Sequence, residues 1–181
     1  EVTFKNVTIN GLYDPEVDED SKAENRGLLV TGAGTSVTLD TGTTVTGKIT
    51  GSNGGGVLVE SGATLTMKGG SKVTGSRTTG NGGGVAVSLA TFNMEGGEIS
   101  GNEANRGGGV YLSGEQVGTV FSMTGSSIIY GSTNGTLVKR NIGIAEHNKG
   151  AALYRGLESA ASKGTDDLTE ICYEEDLTVV N

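Results

Sequence analysis

Residues 81–102 read NGGGVAVSLATFNMEGGEISGN, and residues 53–76 carry much the same message as NGGGVLVESGATLTMKGGSKVTGS. Each pass has a run of glycines, a short apolar alternation, a second alternation ending in Met, and a Ser/Thr-Gly stop. Working outward, the glycine before an apolar strand recurs as Gly27 in NRGLLV, Gly56, Gly84 and Gly109 in NRGGGVYL, at spacings of 29, 28 and 25 residues. Gly150 in NKGAALY is the nearest continuation. A second block follows as VTL from Val37, LTM from Leu65, FNM from Phe92 and FSM from Phe121. A third follows as VTG from Val45, VTG from Val73, ISG from Ile99 and IIYG from Ile128. The opening VTF, with ING at Ile9, supplies the last two blocks of an earlier coil.

Every block alternates apolar with other residues, the period-2 signature of a strand with one buried face. Before about residue 140 no stripe at i, i+3, i+4 marks a helix. One coil of strands this short cannot bury its own face, whereas stacked coils can. Equivalent strands then pair in parallel about 4.8 Å apart, which predicts an all-β parallel β-helix. The expected inward columns are Leu28, Val57, Val85 and Val110 from the first block; Val37, Leu65, Phe92 and Phe121 with Leu39, Met67, Met94 and Met123 from the second; and Val45, Val73, Ile99 and Ile128 from the third. Asn25, Asn53, Asn81, Asn105 and Asn148 precede the glycine corners, where Asn tolerates the left-handed conformation and stacked amides can form a ladder.

Composition agrees with a turn-rich solenoid. Glycine fills 33 of 181 positions against an average near 7%, so its excess reflects the geometry of tight turning. A net charge of −8 without any basic run argues against a nucleic-acid partner, which needs clustered Lys and Arg. No stretch approaches the roughly 18 apolar residues of a membrane span. The opening EVTFKNVTIN lacks a charged-then-apolar leader, so the expectation is a processed chain or an excerpt. The single cysteine, Cys172, excludes an internal disulfide framework.

GGGVYL followed by FSMTGSSI, and GGGVAV followed by FNMEGGEISGN, resemble the right-handed parallel β-helix repeats of bacterial secreted and surface proteins in the pectin-lyase-like superfamily. They are also similar to the Gly-Gly-Ala-Ile and Phe-x-x-Asn repeats of chlamydial polymorphic outer-membrane proteins, although Glu95 and Thr124 stand where that family has Asn. The resemblance covers residues 25–131. It implies a single-stranded right-handed parallel β-helix of about five coils, three strands per coil, with an irregular C-terminal cap. The whole chain, 1–181, is expected to be one domain: a partial first coil with an acidic loop over 1–24, regular coils over 25–134, and an irregular last coil or cap over 135–181.

The resemblance does not imply an activity, because this architecture hosts lyases, hydrolases, depolymerases and adhesins alike. Polygalacturonase-like members carry clustered Asp with Gly-His-Gly and Arg-x-Lys motifs, whereas the lone His147 here sits in AEHNKG. Asp166 and Asp167 are adjacent, and adjacent strand residues face opposite ways, unlike an inverting pair held about 6.5–9.5 Å apart across a cleft. Cys172 lies among carboxylates in EICYEED, which raise a thiol pKa and blunt its reactivity. TGAGTS at 31–36 lacks the Lys and following helix of a phosphate loop.

Two features carry binding hypotheses. The loop YDPEVDED at 13–20 offers Asp14, Glu16, Asp18 and Asp20, oxygen ligands suited to calcium, which makes calcium the one candidate cofactor. On the outer side of the first-block sheet, Leu29, Leu58, Ala86, Tyr111 and Ala152 are expected to form an apolar column, unusual on an open surface. Either the 135–181 segment covers it, or Tyr111, Tyr130 and Tyr154 stack on sugar rings as a ligand-binding set. The functional expectation is a non-catalytic secreted or cell-surface bacterial module, adhesin-like or structural, whose partner is a polysaccharide or a host surface protein. The alternative is a polysaccharide lyase or glycoside hydrolase with an unfamiliar site.

Overall fold

A computed structural model describes residues 1–11, 26–47, 49–113, 118–130, 141–143, 152–156 and 177–180. The chain opens with β1 (Val2–Phe4) and β2 (Thr8–Asn10). Three complete turns follow: β3 (Leu28–Thr31), β4 (Ser36–Leu39), β5 (Thr44–Thr46) and β6 (Ile49–Thr50); then β7 (Val57–Glu60), β8 (Thr64–Met67), β9 (Lys72–Thr74) and β10 (Arg77–Thr78); then β11 (Val85–Ser88), β12 (Thr91–Met94), β13 (Gly97–Ser100) and β14 (Glu103–Ala104). Beyond them lie β15 (Val110–Ser113), β16 (Val120–Met123), β17 (Ser127–Ile129), β18 (Ile142–Gly143), β19 (Leu153–Gly156) and β20 (Leu177–Val180). Among the described residues there is no helix, hence none long and apolar enough to cross a membrane.

The strands stack into four sheets: A (β1-β4-β8-β12-β16-β20), B (β2-β5-β9-β13-β17), C (β3-β7-β11-β15-β19) and D (β6-β10-β14-β18). Pairing within each stack is parallel, except that β20 joins the edge of β16 antiparallel. The result is a parallel β-solenoid of about three turns, where about five were expected from the repeat. Each complete turn includes a short strand of sheet D beyond the three expected; strands two residues long, such as Arg77–Thr78, are too short to show an alternation in sequence.

Register follows the repeat closely in the middle of the chain. Phe92 sits over Leu65 and under Phe121, Met94 between Met67 and Met123, and Val85 between Val57 and Val110. These side chains are completely or almost completely buried in one continuous core, and the Phe92 and Phe121 rings lie 5.3 Å apart at a 38° tilt. Full burial of each such side chain contributes about 1.5–3 kcal/mol. The third-block column ends differently from expectation: Ile99 pairs with Ile129, not Ile128, and Ile129 is the buried one. Two adjacent isoleucines cannot be told apart by alternation, and a one-residue slip exchanges the faces. Ile99→Val is expected to lower unfolding free energy by about 1 kcal/mol, read from urea denaturation monitored by circular dichroism.

The glycine runs have a definite job, best seen at 82–84. Gly82 adopts φ = +72°, a left-handed turn that glycine makes without steric cost. The next two glycines lie flat against the following coil: a Cβ on Gly83 would stand 2.5 Å from the Gly108 carbonyl oxygen, and one on Gly84 2.6 Å from that of Gly109. In return their N–H groups donate to the Gly107 and Gly108 carbonyl oxygens at 3.0 Å.

A buried polar file runs up the corner between sheets B and D. The Gly47 N–H donates to Ser76 Oγ at 2.8 Å, the Ser76 N–H to Asn102 Oδ1 at 2.9 Å, and the Asn102 N–H to Asn141 Oδ1 at 2.9 Å. The amide groups also donate downward, Asn102 Nδ2 to the Val73 carbonyl at 3.1 Å and Asn141 Nδ2 to that of Ile99 at 3.0 Å. This is the ladder of stacked amides, placed at a different corner from the Asn file expected before the glycine runs. There the structure gives one rung, Asn81 N–H to Asn53 Oδ1 at 2.9 Å; Asn81 bridges to Arg106 rather than Asn105, which is exposed. Asn25 and Asn148 lie outside the described residues.

Candidate functional site

The solenoid offers long outer faces whose chemistry is set by the residues between the buried positions. On sheet C the outer column is Leu29, Leu58, Ala86, Tyr111 and Tyr154. Tyr154 takes the place expected for Ala152, which is buried in the core. Leu153 rather than Ala151 pairs with Val110, because the last turn carries two more residues before its strand than the earlier glycine runs suggest. The column passes from exposed at Leu29 (46%) to buried at Ala86 (2%) and Tyr111 (5%).

Of the three tyrosines expected to bind ligand, the structure brings two together. Tyr111 and Tyr154 stack with ring centroids 5.9 Å apart and planes 12° from parallel, and the Arg106 guanidinium stands 5.9 Å from the Tyr154 centroid, within cation–π range. Tyr154 is half-buried. Tyr111 itself is buried, so Tyr154 and Arg106 are the accessible members. Arg106 was not legible as part of this cluster, since it occupies a corner position that reads as a turn. Its Nε, and Asn81 Oδ1 on the adjacent rung, have no hydrogen-bond partner among the described residues. Tyr130 stands apart at the end of sheet B, where its carbonyl accepts from Asn141 Nδ2 at 2.6 Å.

Sheet A presents a different surface. Two ranks alternate with the core: Ser36, Thr64, Thr91 and Val120 in one, Thr38, Thr66, Asn93 and Ser122 in the other. Apart from the buried Thr38, these side chains are half-buried, and none is charged. Ser122 Oγ donates to Asn93 Oδ1 at 2.8 Å. Hydroxyls elsewhere serve the fold, as when Thr43 donates to the Phe4 carbonyl and Ser127 to that of Met94, both at 2.8 Å. Among the described residues, those of Thr64, Thr66 and Thr91 have no such duty and point outward. Two residues beyond the second rank come Asp40, Lys68 and Glu95; the Thr41 backbone N–H, 2.7 Å from Asp40 Oδ1, holds that carboxyl below its ordinary pKa.

Leu89 stands at the corner that leads into this face, with φ = +49° and 41% of its surface exposed. The equivalent corner of the preceding turn uses Ser61 and Gly62, also at positive φ. A bulky residue in this region is an outlier, at a cost of about 1–2 kcal/mol. The sequence signal was present as a shortened turn, SLA in place of ESGA. Leu89→Gly is therefore expected to leave thermal stability unchanged or to raise it by up to about 1 kcal/mol, the relief of strain offsetting the greater entropy of glycine. A loss above that value in a calorimetric melt contradicts this assignment of strain.

The proposed calcium ligands Asp14, Glu16, Asp18 and Asp20 lie outside the described residues. Among the described residues no group of three or more His, Cys, Asp or Glu side chains is arranged to hold a metal ion. Among the described residues, ion pairs bridge successive rungs where Lys72 meets Glu98 at 3.8 Å and Arg77 meets Glu103 at 3.0 Å. In comparisons with family models, curated proteins and solved structures, nothing matches this chain.

Proposed function

We propose that this chain is a non-catalytic, adhesin-like module of a secreted or cell-surface bacterial protein, built as a right-handed β-helix of the pectin-lyase-like kind, and that it binds glycans through an outer face. The observation that carries this reading is the uncharged outer surface of sheet A, where half-buried hydroxyl side chains repeat from rung to rung and those of Thr64, Thr66 and Thr91 have no internal partner among the described residues. Hydroxyls that both donate and accept suit the hydroxyls of a sugar. The half-buried Tyr154 with Arg106 beside it provides a second polar-aromatic contact at the last turn. Calcium bound by Asp14, Glu16, Asp18 and Asp20 is proposed as an accessory ion.

A binding screen against plant, mucin and bacterial polysaccharides, with and without calcium and with product sugars assayed in the same wells, tests the reading. Retention of at least one polymer without release of oligosaccharide is the expected result. Released oligosaccharide contradicts the non-catalytic assignment and establishes the lyase or hydrolase alternative. For the calcium arm, titration calorimetry should show heat that Asp18→Ala removes; absence of heat at millimolar calcium disproves that site.

A further inference from the structure

Granting that the module binds glycans as proposed, the details of sheet A select the kind of glycan and the direction in which it lies. Along the solenoid axis the ranks repeat with the strand spacing of about 4.8 Å, and the two ranks are about 6.7 Å apart along each strand. The face is thus a lattice of hydroxyls rather than a pocket, and a lattice extended over successive rungs fits an extended polymer better than a single sugar. Its hydroxyls are held in place before any ligand arrives: Thr is stiff at χ1, and half-burial between neighbouring rungs limits its movement further. Little side-chain entropy remains to be lost on binding.

Charge narrows the ligand class. Both ranks are uncharged, the whole chain carries −8, and the flanking file holds two carboxylates, Asp40 and Glu95, against one cation, Lys68. A polyanion would meet a net-negative chain and find no basic cluster in the two ranks to offset it, whereas a neutral polyol carries no such penalty.

Leu89 adds an independent observation. It keeps a bulky apolar side chain in a backbone conformation that disfavours it, at the margin of the hydroxyl ranks and 41% exposed. The side chain lies beside Gly118 of the next turn, its Cδ2 being 4.0 Å from where a Cβ on that residue would sit. Strain of this sort persists where function favours it. An exposed methyl pair next to ranks of hydroxyls matches the two chemistries of a pyranose ring, apolar C–H on its faces and hydroxyls at its rim.

We infer that the outer face of sheet A binds a neutral, extended polysaccharide lying along the solenoid axis, with Thr64, Thr66, Thr91, Asn93 and Ser122 bonding its hydroxyls and Leu89 packing against a ring face. The test uses affinity electrophoresis of the full chain in gels containing a soluble neutral mannan, a neutral β-glucan or polygalacturonate. Four variants accompany it: the double variant Thr64→Val with Thr66→Val, which keeps shape and removes the hydroxyls; Leu89→Gly; Thr74→Val on sheet B; and Tyr154→Ala. Circular dichroism melts confirm that each is folded. The parent should be retarded by at least one neutral polymer and not by polygalacturonate, with affinity falling tenfold or more in the double variant, several-fold in Leu89→Gly, and unchanged in Thr74→Val. Neutral-polymer binding that survives both sheet A changes but is lost in Tyr154→Ala overturns this inference and leaves the glycan-binding function standing. Retardation by polygalacturonate alone overturns it likewise. A parent that binds none of the three polymers here and nothing in the wider screen overturns both.

Discussion

Gly84→Val is expected to cost about 4 kcal/mol or more of stability, which removes most of the margin of a domain at the low end of the usual range of about 5–15 kcal/mol. The physical cause is steric and has nowhere to relax. A Cβ at this position would stand 2.6 Å from the Gly109 carbonyl oxygen, 2.8 Å from Ile99 Cγ2 and 2.9 Å from Asn102 Nδ2. The first of these belongs to backbone already engaged by the Gly84 and Val85 N–H groups at 3.1 and 2.9 Å, so moving it breaks the inter-coil ladder. The second belongs to the buried core and the third to the amide file. Overpacking of an ordinary core site typically costs about 1–3 kcal/mol; here core, ladder and amide file are all struck by one side chain. Guanidinium titration followed by far-ultraviolet circular dichroism measures the loss. A variant within about 1 kcal/mol of the parent contradicts the close stacking of the glycine runs.

Asn102→Leu is the second large effect. The side chain is 1% exposed and nearly isosteric with leucine, so the change leaves little void. What it removes is bonding: the Ser76 N–H loses its acceptor and the Val73 carbonyl loses a donor, while Asn141 Oδ1 loses one of its two donors. Each buried group left without a partner costs about 1–3 kcal/mol, giving an expected loss of about 3–5 kcal/mol for the site. Asn102→Ser is the informative companion, since Ser76 fills the equivalent position one coil earlier and accepts from the Gly47 N–H through its hydroxyl; it should recover part of the loss. Equal destabilisation by Leu and Ser in the same titration would show that volume, not hydrogen bonding, governs this corner.

The stacked columns of the middle coils were legible because strand alternation and the coil repeat point to the same residues. Val57, Val85 and Val110 had to be equivalent once the glycines before them were aligned, and the structure pairs them so. Legibility failed where one of the two signals was missing. Ile128 and Ile129 are both apolar, so alternation could not choose between them. The last turn has no glycine triplet, and NKGAALY was placed two residues out of register. The strands of sheet D are too short for alternation, and the Asn102 and Asn141 file was hidden because those residues differ from the earlier Ser76 and Gly47.

The candidate site was legible only in part, for a related reason. Outward residues are not constrained by core packing, so the repeat says which side chains share a face without saying whether that face is open. Tyr111 and Tyr154 were both singled out, but their adjacency depended on the register of the last turn, and the burial of Tyr111 could not be deduced from its strand. The polar ranks of sheet A were visible as Thr38, Thr66, Asn93 and Ser122; the companion rank and the absence of internal partners for Thr64, Thr66 and Thr91 needed coordinates. Leu89 escaped notice because a leucine between Ser88 and Ala90 reads as an ordinary apolar residue until its backbone angle is known.

The central claim is that strands some 25 to 30 residues apart in sequence lie side by side and parallel, and nuclear Overhauser contacts between backbone protons test it most directly. For sheet A the arrangement predicts cross-strand amide-to-Cα-proton contacts that link Val37 to Leu65, Leu65 to Phe92 and Phe92 to Phe121, with their parallel pattern repeated in sheet C from Leu28 through Val57, Val85 and Val110. Contacts instead between consecutive strands, such as Val57–Glu60 against Thr64–Met67 in an antiparallel hairpin, would contradict the solenoid and with it the outer face on which the proposed binding depends.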